Sequence, residues 1–304
     1  MTALDPEEVI LAEGPWTHRD VPANGARFHV AEMGRGPLVL LLHGFPTFWW
    51  TWRRALPALA AAGYRAAAMD LRGYAGSDHP PRGYDPFTLS ADVTGVIRSL
   101  GERHAVVVGH GWGGFLAWTA AVLHPEAIRG IAPVSMPHPR RLRRSMIGDS
   151  AQRRASSYMF GFQVPASPER DLLEDRAAEV GRLIRSWSAT PHFPDATADA
   201  TYRAAMLHLN TAHCALEYHR WALRSIPRPD GIRFVRRMKD PIWAPVMQVQ
   251  GADDPTVLSS SSRGSETYVQ GPYRWVEVPG CGHFPHEEQP EAFLDELVSW
   301  LATT

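Results

Sequence analysis

Lysine is nearly missing from this 304-residue chain: Lys239 is the only one, so almost all of its positive charge is arginine. With alanine abundant, that pattern points to a GC-rich coding bias and not to a task. Cysteine is almost as scarce. Cys214 and Cys281 are too few for a disulfide framework and read as buried thiols. Charge excess is missing too: 31 Lys and Arg stand against 32 Asp and Glu, a net of -1. That balance argues for neither a nucleic-acid nor an acidic partner. No apolar run approaches the length of a membrane span. The opening Met1-Thr2-Ala3-Leu4-Asp5-Pro6-Glu7-Glu8 is acidic and lacks the charged and apolar stretches of a secretion signal. The expectation is a soluble chain in a reducing, cytoplasmic setting. Internal repeats and low-complexity tracts are absent as well.

What is present is ordinary globular composition, 44% hydrophobic and 21% charged. Short apolar runs alternate with helical patterns, as in a mostly parallel sheet. Leu38–Leu42, Arg65–Met69 and Ala105–Val108 read as buried strands, with others at Ile128–Val134, Pro245–Gln250 and Tyr273–Val278. Phe28–Ala31 reads as an antiparallel edge strand. Leu89, Val93, Ile97 and Leu100 form an apolar helical stripe. A second helix runs from Gly113 to His124, and a third carries Phe293, Leu294, Leu297 and Leu301 on one face. Between Pro137 and Arg237 there is no convincing strand, only helical pattern broken by prolines. The fold class is therefore α/β, with residues 1–136 and 238–304 as core and 137–237 as an inserted helical cap. Arginines cluster in the insertion at Arg140, Arg141, Arg143, Arg144, Arg153 and Arg154, and again at Arg228, Arg233, Arg236 and Arg237. A solvated face is the simplest reading of them, and an anion or membrane-surface contact is the other.

Four loops after strands carry the chemistry. Val108-Gly109-His110-Gly111-Trp112-Gly113-Gly114 has the strand–turn–helix context of a nucleophile elbow. Its glycines allow strand and helix to approach closely, and the helix N-terminus offers N–H groups to a developing oxyanion. His43-Gly44-Phe45-Pro46 supplies the opposing donor, so Phe45 and Trp112 are the expected oxyanion-hole amides. Gly251-Ala252-Asp253-Asp254-Pro255 and Gly280-Cys281-Gly282-His283-Phe284-Pro285-His286-Glu287 follow in the chain order nucleophile, acid, base. The adjacent aspartates make the register arguable, and Asp254 is preferred over Asp253. Its carboxylate would fix the tautomer of His283.

These residues resemble one family. His43-Gly44-Phe45-Pro46-Thr47-Phe48-Trp49-Trp50-Thr51-Trp52-Arg53, Asp70-Leu71-Arg72-Gly73-Tyr74, Ser77-Asp78 and Gly109-His110-x-Trp112-Gly113-Gly114 look like the epoxide hydrolases of the α/β-hydrolase superfamily, the actinobacterial members above all. The resemblance covers nearly the whole chain. It implies that an elbow aspartate opens an epoxide to an ester, which a histidine-activated water then hydrolyses. It also implies two cap tyrosines that donate to the epoxide oxygen. The chain departs from the family twice. Gly111 occupies the position of the nucleophilic aspartate, so no ester can form there. Tyr158 matches the first tyrosine, but in Tyr218-His219-Arg220 it is His219 that stands where the second belongs. His219 is expected to donate in its place, or Tyr218 after a shift of register, although adjacent helical residues point about 100° apart.

Three functional readings follow. The chain is an epoxide-hydrolase-like protein whose ester mechanism is disabled by Gly111, an inactivated variant. Or it is a non-hydrolytic enzyme that uses His283 and Asp254 as a general base for lyase, isomerase or direct-hydration chemistry. Or it is a ligand-binding pseudoenzyme. A haloalkane dehalogenase would also need the aspartate, and a serine esterase would need a serine at the elbow. Trp49, Trp50, Trp112, Phe45, Phe160 and Phe162, with Tyr218, are expected to line a pocket for a small hydrophobic molecule. No cofactor is expected, because Gly109-x-Gly111-x-Gly113-Gly114 lacks the acidic residue of a dinucleotide site. No metal is expected either: His208 and His213 are five apart and do not share a helix face.

Overall fold

The computed structural model describes residues 4–304; Met1, Thr2 and Ala3 of the acidic N-terminal run lie outside it. Eight strands form one sheet in the order β1-β2-β4-β3-β5-β6-β7-β8. They are β1 (Thr17–Ala23), β2 (Ala26–Met33), β3 (Leu38–Leu42), β4 (Arg65–Met69), β5 (Ala105–His110), β6 (Ile128–Val134), β7 (Val246–Gly251) and β8 (Tyr273–Val278). From β4 to β8 all neighbours are parallel, while β1 and β2 add antiparallel pairs at one side. β3, with the sequence Leu-Val-Leu-Leu-Leu, is buried at every residue. That requires helices over both faces of the sheet. Helices Pro86–Ser99 and Trp112–Leu123 pack against each other, and Ala55–Ala61 against Pro290–Leu301. Cys214 and Cys281 are buried and unpaired.

One strand assignment needs correction. Phe28–Ala31 lies in an antiparallel strand, but it is not the edge; β1 covers it. β1 is too polar to show alternation, and Pro22 argues against a strand anywhere except at an edge. The Asn24-Gly25 turn between β1 and β2, both residues at positive φ, is the hairpin signal that identifies it.

Between β6 and β7 the chain forms seven helices: Pro139–Gly148, Ser150–Ala155, Tyr158–Gly161, Ser167–Trp187, Ala196–Met206, Thr211–Arg224 and Pro229–Arg237. Ser167–Trp187 is broken at Glu174–Ala177, where the backbone leaves helical angles.

The turn from β5 into helix Trp112–Leu123 sets the site. A Cβ on Gly109 would lie 2.1 Å from the Gly113 carbonyl oxygen, and one on Gly113 would lie 2.2 Å from the Leu42 carbonyl oxygen. Backbone meets backbone at both places, so only glycine fits. Gly111 differs. Its φ is +52°, but a Cβ there would meet nothing closer than 3.6 Å. Side chains are excluded at Gly109 by contact, whereas at Gly111 they are penalised only by backbone strain of about 1–3 kcal/mol. Gly109→Ala should therefore cost about 3 kcal/mol or more in urea unfolding. Gly111→Asp should cost less than that, and should not stabilise the protein. An Asp form more stable than the parent, or equal costs at the two positions, would contradict this reading of the turn.

Candidate active site

Close backbone approach also assembles the other half of the site. A Cβ on Gly251, at the end of β7, would lie 1.9 Å from the Gly282 carbonyl oxygen. The loop carrying His283 is thus pressed against the loop carrying Asp254. His283 Nδ1 lies 2.8 Å from Asp254 Oδ2 and 2.9 Å from Thr256 Oγ1. The Thr256 hydroxyl and the N–H groups of Thr256 and Val257 all donate to Asp254 Oδ1, at 2.9, 2.8 and 3.0 Å. Gln250 Nε2 donates to Asp254 Oδ2 at 3.1 Å. The carboxylate is buried and fully bonded, so its position is rigid. Asp253 is exposed, and it is Asp254 whose side chain bonds His283.

Since the Thr256 proton goes to Asp254, Nδ1 of His283 must be the donor to both groups. Nε2 is then left on the side of Gly111, 3.6 Å from where a Cβ there would stand. The His283 N–H donates to the Trp187 carbonyl at 2.8 Å, fixing the loop from the helical insertion.

Gly111, Trp112, Phe45, Tyr158, His219 and His283 line one cavity of about 110 Å³. Among the described residues, neither the Phe45 nor the Trp112 backbone N–H donates to another protein group. Both therefore remain open to an oxygen in the cavity. The Tyr158 hydroxyl makes no hydrogen bond to the protein either; burial, and then Asp254, push its pKa up, so it stays a proton donor. No carboxylate lines this cavity.

Several expected residues lie elsewhere. Tyr218 is buried away from the cavity, and its hydroxyl donates to the Arg72 carbonyl at 2.8 Å. It cannot replace the second tyrosine. Trp49 is buried in the core, its indole N–H bonded to the Ile10 carbonyl at 2.8 Å. Trp50 packs on Tyr202 with the Arg53 guanidinium over its ring. Phe160 is on the surface of the insertion. Phe162 packs behind the cavity wall, edge-on to Phe45 and His219. Aromatic identity alone does not say which wall, or which side of the molecule, such a residue joins.

His219 does reach the cavity, but not as the expected donor. The Trp112 indole N–H, which can only donate, points at His219 Nε2 at 3.1 Å. His219 Nδ1 in turn donates to the Ala215 carbonyl at 3.2 Å. Both nitrogens are spent, and burial lowers the pKa to about 3, so the ring is neutral. Its effect is to hold the Trp112 ring against the cavity.

Several wall residues are not among those expected from the sequence, Trp187 and Thr256 being two of them. Trp187 stands edge-on to His283 and tilted to Tyr158, and nothing in its local sequence marks it. Thr256 was legible: Asp-x-Thr is the spacing of a turn in which the aspartate captures the N–H two residues on.

Comparison with known proteins places the fold in a family. The sequence pattern described as "Alpha/beta hydrolase family" matches residues 39–296. The chain is 30% identical to epoxide hydrolase A of Mycobacterium tuberculosis over 95% of its own length and 98% of the relative. It is 30% identical to epoxide hydrolase 3 of Xenopus tropicalis over 88% and 72% of the two chains. Among solved structures it is similar to epoxide hydrolase A of Mycobacterium thermoresistibile, with TM-score 0.82 and 28% identity over 94% of this chain and 98% of that one. It is likewise similar to an epoxide hydrolase of Bacillus megaterium, with TM-score 0.84 and 26% identity over 93% and 100%.

The neutral burial of His219 makes stability fall in acid. Above its ordinary pKa of 6.5 the ring is neutral in both folded and unfolded chains. Between pH 6.5 and about 3 only the unfolded chain takes up the proton. His79 and His138, lowered to about 4 and about 3 by burial, act in the same direction. His219→Gln should flatten the dependence of unfolding free energy on pH between 6 and 5 by up to about 1.4 kcal/mol per pH unit. An unchanged slope would mean that the ring is charged in the folded state.

The sheet order and the similarity over nearly the full length give the kinship: the chain belongs to the epoxide hydrolase family of the α/β-hydrolase superfamily.

Proposed function

We propose that this protein binds a small hydrophobic molecule in the cavity between an α/β core, residues 1–136 and 238–304, and a helical cap, residues 137–237, and that the ester-forming hydrolysis of its family is disabled by Gly111. The observation that carries this reading is the open space at Gly111: a Cβ fits there, facing His283 Nε2 at 3.6 Å. The space for a nucleophile is intact and the nucleophile is absent. Each other group has a role in the reading. Phe45 and Trp112 form the oxyanion hole, Asp254 holds His283, His283 activates water, and Tyr158 donates to the epoxide oxygen. With one tyrosine and no carboxylate, neither ring opening by attack nor ester hydrolysis has its first step.

A second reading draws on one specific observation. His283 Nε2 and the Tyr158 hydroxyl border the same cavity with no competing protein partner. A base and an acid across a small apolar space suit proton-transfer chemistry, including direct hydration of an epoxide, without any covalent step.

Assays of the parent and of Gly111→Asp on a panel of aryl and alkyl epoxides separate these readings. The first expects no diol from the parent and hydrolysis by the Asp form, a gain of up to about 10⁶. His283→Ala should abolish that gain. Turnover by the parent that disappears in His283→Ala would replace the first reading with the second. Diol formation by the parent that survives His283→Ala would contradict both.

A further inference from the structure

We propose that the protein docks on an anionic lipid bilayer through the mouth of a groove in the helical insertion. A groove of about 390 Å³ runs beside the candidate active site and shares Phe115, Leu142, Ser156, Met159 and Ala222 with it. The two spaces therefore adjoin. Helices Pro139–Gly148, Thr211–Arg224 and Pro229–Arg237 contribute to its walls.

Two features of its rim are unusual together. Ile147, Phe160 and Ile226 line it and are 71%, 60% and 53% exposed. Scattered exposed apolar residues need no explanation, but three large ones around one opening do. Arg140, Arg143 and Arg153 line the same groove, and no acidic residue does. Among the described residues none of these three arginines is paired with a carboxylate; Arg153 donates only to the carbonyls of Met146 and Ile147. Helix Pro139–Gly148 adds Arg141 and Arg144 and carries no acidic residue, while Leu142 and Met146, one turn apart on it, face the groove.

Apolar side chains fringed by unpaired guanidiniums match a membrane interface. The apolar groups enter the acyl boundary and the arginines meet headgroup phosphates. A second copy of the chain seated on this face would bring arginine against arginine. A protein partner seated there would cover the groove. A bilayer offers instead a reservoir for an apolar ligand at the opening, a step that rests on the reading that the cavity takes such a ligand. Three arginines of the first cluster, Arg140, Arg143 and Arg153, thus acquire a counterpart.

Cosedimentation of the full chain with vesicles tests this without any epoxide, so its result is independent of turnover. Binding is expected to phosphatidylcholine vesicles that contain phosphatidylglycerol and not to phosphatidylcholine alone, and it should weaken as salt is raised. Arg140→Gln and Arg143→Gln should each lower partitioning about fivefold. Ile147→Ser with Phe160→Ser should lower it as well, and Arg19→Gln, on β1, should not. Thermal melts establish that each variant is folded. Equal binding to neutral and anionic vesicles, or unchanged binding of the folded rim variants, overturns the proposal. So does self-association in sedimentation velocity that the same rim variants remove, which would assign the face to a second copy.

Discussion

At the end of β5 three backbones run too close together for a side chain. Gly109 meets the carbonyl of Gly113, and Gly113 meets the carbonyl of Leu42. That contact locks the start of helix Trp112–Leu123 against the ends of β3 and β5. The free N–H of Trp112 and that of Phe45, in the loop after β3, therefore border one cavity. A second contact of the same kind, between Gly251 and the Gly282 carbonyl, brings the His283 loop onto Asp254. The site is positioned by glycines that cannot be replaced, and around them the polar groups are fully determined. Asp254 accepts from the hydroxyl and N–H of Thr256, the N–H of Val257, Gln250 and His283, and has no freedom left.

Within that frame Gly111 is the exception. It needs glycine for its backbone angle and not for space, so the frame tolerates a side chain there and the chain carries none. A Cβ at this position would meet nothing closer than 3.6 Å, so the neighbours do not depend on what stands there. His219 spends both ring nitrogens on the protein: the ring accepts from the Trp112 indole N–H and donates to its own helix. The result is a cavity bordered by the free Tyr158 hydroxyl, the free N–H groups of Phe45 and Trp112, and one free ring nitrogen, on His283. In the proposed reading, the carboxylate and the second hydroxyl donor are the two groups this cavity lacks.

The fold was legible wherever burial dictated the residues. β3, β4 and β6 fall where their apolar runs begin and end, because a strand buried on both faces has no choice of composition. β1 was not legible, since an edge strand half in water keeps polar residues and leaves only its Asn24-Gly25 turn as a mark. In the site, glycine spacing and chain order located Gly111, Asp254 and His283, because backbone contact and tautomer control restrict the residue types allowed. The aromatic wall was read poorly. Trp49, Trp50, Phe160 and Tyr218 are equally aromatic, and their positions depend on how the helical insertion packs, which no local pattern encodes. Trp187 reaches the cavity by the same long-range packing. His219 was found by its position in a motif, but its role follows from a hydrogen bond to a residue 107 positions away.

In the proposed function, one carboxylate at position 111 separates this protein from the covalent chemistry of its family. Intact-mass spectrometry of the Gly111→Asp, His283→Gln double variant incubated with a reactive aryl epoxide tests it most directly, since ester formation would then proceed and its hydrolysis would not. The account predicts an adduct equal in mass to the epoxide, located at residue 111, and none on the parent chain. An adduct on the parent, or an Asp form that remains unmodified while folded, would contradict it.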